Sequence, residues 1–128
     1  IAAPITTVEK PASQSYTVIA FFETENKESK QNLSPLYEMS VDAEAHVAIR
    51  MVATNPEVPD VKAFIKNNRG DLRFPVHFDD NANAQRAFGV KGVPVVYILK
   101  KESEVIFKHV GLITADVKKK MLVAVGYQ

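Results

Sequence analysis

Apolar residues fall into blocks along the chain, and the spacing inside each block sets the element expected there. Residues 16–22 (Tyr-Thr-Val-Ile-Ala-Phe-Phe) and 46–53 (His-Val-Ala-Ile-Arg-Met-Val-Ala) are near-continuous apolar runs rich in β-branched and aromatic side chains. Such runs predict strands covered on both faces. After Phe22 the chain turns polar at Glu23-Thr24-Glu25-Asn26, where Thr24 or Asn26 offers a short side-chain oxygen to the free amides of a helix start. Leu33, Leu36, Tyr37 and Ser40 follow at helical spacing, and Pro35 predicts a kink within that helix.

Pro59 and Asp60 open a second helix with Val61, Phe64 and Ile65 on one face, and Gly70 is expected to close it. Residues 80–88 read as a short helix ended by Gly89. Val95 to Leu99 and Val105 to Val110 read as strands joined by the charged turn Lys100 to Glu104. Thr114 caps a last helix with Val117, Met121 and Val125 at successive turns. The order β-α-β-α-α-β-β-α predicts parallel crossovers followed by an antiparallel hairpin. The fold class is therefore α/β, with a mixed β-sheet and helices on both faces. Residues 1–15, with Pro4 and Pro11 and no period, read as an N-terminal arm or linker, which leaves 16–128 as one domain.

Composition narrows what such a domain does. The 128 residues carry 46% hydrophobic and 24% charged side chains, ordinary for a globular chain with its own core. The net charge of +1 gives no field that would gather nucleic acid or an anionic membrane, so neither is expected as a partner. The longest apolar run, Val93 to Leu99, is far short of the ~18 residues of a membrane span. The chain opens on Ile1, which suggests a processed or excised product. There is no cysteine, which removes disulfides, zinc–thiolate sites and a thiol nucleophile together. No cofactor or metal is implied.

Two segments carry a family likeness. Val18-Ile-Ala-Phe-Phe-Glu-Thr-Glu-Asn-Lys-Glu-Ser-Lys30 resembles the strand-to-helix junction of the thioredoxin superfamily, above all its TlpA/ResA-like thiol-disulfide oxidoreductases. Phe88-Gly-Val-Lys-Gly-Val-Pro94-Val-Val-Tyr-Ile-Leu99 resembles the segment of that family whose proline is cis and faces the active helix. Phe74-Pro75-Val76 before Asp79 and His109-Val110-Gly111 after the hairpin fit the same order over residues 16–126.

The resemblance implies a thioredoxin-like fold and an exported setting, in the cell envelope, periplasm or secreted fraction. It also implies a cysteine pair that this chain lacks. Counted from Phe21-Phe22 the pair falls on Asn26 and Ser29; counted back from Pro35 it falls on Lys27 and Lys30. The acidic residue that redox-active relatives often place just after the cis-proline is Val95 here.

A thiolate is the nucleophile in disulfide exchange, so this chain does not perform it. The function expected instead is a redox-inactive protein- or peptide-binding or scaffolding module. Asn26, Lys27, Glu28 and Ser29 form one wall of its groove, and Val93 with Pro94 the other; no catalytic residue is assigned. An extended peptide pairs there through backbone hydrogen bonds that need no cysteine. Two alternatives stand beside this. One is an enzyme of the same superfamily holding a small thiol or anion with Ser29 and the helix N-terminus, although His46, His77 and His109 are scattered in sequence. The other is an inert structural domain of a larger envelope protein.

Three further motifs have plainer readings. Asp79-x-Asn81-x-Asn83 opens like a calcium loop, but Ala84 and Val90 stand where Gly and Glu are needed, so a polar helix cap is expected. Lys118-Lys119-Lys120 fans around a helix rather than forming one basic face. Asn32-Leu33-Ser34 is formally a glycosylation acceptor, followed by Pro35.

Overall fold

The computed structural model describes residues 16–43, 46–70, 72–101 and 103–127; the expected arm at 1–15 lies outside them. Strand β1 (Tyr16–Phe22) leads through helices α1 (Lys27–Gln31) and α2 (Leu33–Asp42) into β2 (Val47–Ala53). Helix α3 (Val58–Asn67) connects to a short strand β3 (Val76–Phe78). A single 3₁₀ turn, Asp80–Ala82, precedes α4 (Asn83–Phe88); β4 (Val95–Lys100), β5 (Glu104–Val110) and α5 (Ala115–Ala124) complete the chain.

The five strands form one sheet in the order β3-β2-β1-β4-β5. β1, β2 and β3 run parallel, and β4 runs antiparallel to β1 with Phe21 opposite Val95. The mixed sheet follows from the connections: long helical crossovers join the parallel strands, and a tight turn joins β4 to β5. β3 was not anticipated. Three residues after Pro75 are too few to show a two-residue period, and only pairing with Met51–Ala53 of β2 defines the strand.

Alternation along β1 divides the interior in two. Val18, Ala20 and Phe22 meet Leu36 and Met39 of α2, Val61 and Phe64 of α3, and Met121 and Val125 of α5. Ile19 and Phe21 face the other way, against Val95, Tyr97 and Ala84, with Phe88 of α4 packed over them. Helices thus cover both faces. Phe22 and Phe64 lie 5.1 Å apart, and Phe88 sits 4.9 Å from Tyr97, so each face has an aromatic anchor.

Two expected helix boundaries move. The first helix breaks at Asn32, not at Pro35. Pro35 is the third residue of α2, where no backbone N–H has an intrahelical partner, so the missing donor costs nothing. α3 ends at Asn67 and Asn68 forms its C-cap, its side-chain amide donating to the Phe64 carbonyl at 2.8 Å; Gly70 lies beyond. By contrast Gly89 closes α4 at φ 65°, as expected of a glycine there.

Candidate functional site

The site is built where neighbouring strands leave the sheet at one edge. Phe21 at the end of β1 is paired with Val95 at the start of β4, so the segments after Phe22 and before Val95 emerge side by side, about 4.8 Å apart at the strands. Val95 is also paired with Val110, which brings Gly111 and Leu112 to the same edge. The junctions after β2 and β3, Thr54–Asn55 and Asp79, lie on it too.

Asn26 is the N-cap of α1. Its side-chain oxygen accepts from the Ser29 backbone N–H at 2.8 Å, which satisfies one free donor of the first turn. Thr24 is no cap: it is buried, its N–H donates to the Asn55 side-chain oxygen at 3.1 Å, and its hydroxyl accepts from Asn55 Nδ2 at 2.7 Å. Asn55 Nδ2 also donates to Glu23 Oε1 at 3.0 Å, and Glu23 Oε2 accepts from the Glu25 N–H at 3.0 Å. The loop that enters α1 is thus held to the β2–α3 junction by one asparagine.

Ser29 requires a correction. Expected on the wall of the groove, its side chain is turned inward, 1% exposed, and its hydroxyl accepts from the Glu23 N–H at 3.2 Å. A hydroxyl buried to this degree does not line a groove. The histidines have other contacts. His46 meets the Tyr127 ring edge-on, His77 is buried in β3, and His109 Nε2 donates to the Leu112 carbonyl at 2.8 Å.

Of the other residues expected on that wall, Lys27 and Glu28 are exposed and Asn26 is half-buried. The Val93–Pro94 peptide bond is cis. Val93 is half-buried against the Phe21–Tyr97 cluster and Pro94 is buried. Beside them the apolar side chains of Val110 and Leu112 are 63% and 38% exposed and form an apolar margin. A hollow of about 470 Å³ lies between α1 and α3, over Leu33, Phe64 and Asn67, without Val93 or Pro94.

Between the two registers for the missing pair, Asn26 and Ser29 are joined by a hydrogen bond, whereas Lys27 and Lys30 both project into solvent. Asp79 is consumed as a cap, its two oxygens accepting from the Ala84 and Gln85 N–H groups at 2.7 and 2.9 Å. Among the described residues no cluster of three His, Asp or Glu side chains is placed to hold a metal ion.

Comparison with solved structures decides the fold. A Chlorobium tepidum protein described as a DsbE-type thiol:disulfide interchange protein superposes with a TM-score of 0.79 at 23% identity, over 89% of this chain and 82% of its own. The chain adopts the thioredoxin-like fold. StoA from Bacillus subtilis matches at 0.71 and 21% identity, over 87% of this chain and 85% of its own. A secreted Mycobacterium tuberculosis disulfide oxidoreductase matches at 0.69 and 15%, over 89% and 83%. No family model matches the sequence, and no curated protein does. This thioredoxin-like domain has no cysteine and therefore no thiol to exchange with a disulfide. Among the described residues no helix is long and apolar enough to cross a membrane.

Proposed function

We propose that this thioredoxin-like domain is a redox-inactive module that binds an extended peptide or protein segment along the edge formed by Asn26–Glu28 on one side and Val93–Pro94 on the other. The observation that carries the reading is the exposed apolar pair Val110 and Leu112 beside Val93, at the end of the sheet where β1 and β4 open onto their loops. An extended peptide needs main-chain partners and a margin for alternate apolar side chains, and such an edge supplies both. The exported setting belongs to the same proposal: one of the structural neighbours is described as secreted. The small-thiol or anion reading loses support, because Ser29 is buried and its amide, one of those in the first turn of α1, is already taken by Asn26.

The test is affinity for an unfolded, apolar-rich peptide measured by fluorescence anisotropy. Val110→Asp and Lys27→Glu, both at exposed positions, should each weaken binding about tenfold or more, equivalent to about 1.4 kcal/mol, without lowering Tm. Unchanged affinity in both variants contradicts the proposed groove.

A further inference from the structure

The sheet is not the only link between the two walls of this edge. At the break between α1 and α2, Asn32 is fixed to both helices: its N–H donates to the Glu28 carbonyl at 3.1 Å, and its own carbonyl accepts from Leu36 at 3.2 Å. Its side chain, 5% exposed, reaches across 79 and 81 residues of sequence. Nδ2 donates to the Gly111 carbonyl at 3.1 Å, and Oδ1 accepts from the Ile113 N–H at 2.8 Å. Gly111 then passes the connection on, its N–H donating to the Pro94 carbonyl at 2.9 Å. An unbroken run of hydrogen bonds therefore joins Glu28 in one wall to Pro94 in the other.

The chemistry of the run is specific. A carboxamide carries a donor and an acceptor on one short stem; aspartate lacks the donor and leucine lacks both. Gly111 has φ +100°, a conformation that L side chains rarely adopt, which lets it offer its carbonyl to Asn32 while its N–H meets Pro94. Both asparagine atoms are committed and buried, so the formal glycosylation acceptor is closed in the folded domain.

We infer that Asn32 is the positioning residue of this edge: through Gly111 it sets where the Val93–Pro94 loop stands relative to the first helix. Its consequence for affinity rests on the peptide-binding reading above, whereas the coupling itself belongs to the ligand-free protein.

The experiment therefore begins without ligand. Amide spectra and hydrogen exchange are recorded for the wild type, for Asn32→Ala, and for Met39→Ala, a core variant that lowers stability without touching the run. Asn32→Ala should shift the Gly92, Val93 and Val95 amides and speed exchange of the Gly111 N–H about tenfold beyond the Met39→Ala control. Asn32→Asp should show the same shifts at neutral pH and recover the wild-type positions on acidification, once the carboxyl can again donate to Gly111. Shifts confined to residues 28–36 and 111–114, with Val93 no different from the control, overturn the inference. If Asn32→Ala does not fold, the wild type decides: the Asn32 NH₂ protons should exchange slowly, and exchange as fast as that of an exposed asparagine overturns it.

Peptide affinity then separates the two proposals. Asn32→Ala should bind about tenfold more weakly than Met39→Ala; equal affinities count against Asn32. A wild type that binds no peptide removes the groove's function and leaves the ligand-free spectra to judge the coupling.

Discussion

Asn55 holds the entrance to α1 with a single carboxamide, accepting from the Thr24 N–H and donating to Thr24 Oγ1 and Glu23 Oε1. Its removal leaves a buried N–H and a buried hydroxyl without partners, and each such loss costs about 1–3 kcal/mol. Asn55→Ala should therefore lower unfolding free energy by about 2 kcal/mol or more in urea titration, whereas an exposed neighbour such as Glu57→Ala should change it by less than about 0.5 kcal/mol. A negligible effect of Asn55→Ala contradicts the arrangement. None of this was legible in the sequence. Asn55 and its partners stand about thirty residues apart, and nothing local marks a buried asparagine as a clasp. Ser29 was misread for a related reason: its i, i+3 relation to Asn26 was visible, but not the turn of the loop that brings the Glu23 N–H over its hydroxyl.

Helix ends divide the elements into those that local chemistry fixes and those that it does not. The caps Asn26 and Thr114 were legible, because a short oxygen acts on amides two or three residues away: Thr114 Oγ1 accepts from the Val117 N–H at 3.2 Å. Asn26→Ala should cost about 1 kcal/mol, measured by urea titration. Pro35 was misplaced because a proline signals a break without saying on which side of it the break falls. Seated in the first turn of α2, Pro35→Ala should change stability by less than about 1 kcal/mol, whereas a gain of about 3 kcal/mol would mean that a proline-defined kink is in place after all.

Lys118 belongs at this scale too, since its ammonium ties α5 to α2 through Glu38 Oε1 at 3.0 Å and Asp42 Oδ2 at 3.6 Å. The hydrogen bond to Glu38 is the main cause that holds its pKa above the ordinary 10.5. A raised lysine pKa stabilises the fold below the unfolded value, and that contribution fades as pH climbs through the folded one. Lys118→Met should thus be less stable than the wild type at neutral pH, with the difference closing above pH 10.5. Both acidic partners are about half exposed, so the difference should stay under about 1 kcal/mol.

At the scale of the molecule, the sequence pattern was sufficient for the class of fold and short of the site's surface. Continuous apolar runs at 16–22 and 46–53 identified the central strands, and the mixed sheet followed from the lengths of the connections. The pairing of Phe21 with Val95 and of Val95 with Val110 is tertiary, and it alone assembles Asn26, Val93 and Val110 at one edge. Val110 is exposed because β5 is the last strand of the sheet. The same topology leaves β5 an open edge, interrupted by a bulge where Ile98 and Leu99 face Phe107 and Val105. A bulge of this kind blunts pairing between copies, so a monomer is expected in sedimentation at micromolar concentration.

The central claim is that a fold shared with disulfide oxidoreductases here binds a chain segment without a thiol. The most direct measurement is an amide-shift titration of the labelled domain with unfolded peptides. The account predicts shifts gathered at Asn26–Glu28, Val93, Val95 and Val110–Leu112, saturating together with one Kd. Shifts absent from that edge, or gathered on α3 or the outer face of α5, contradict it.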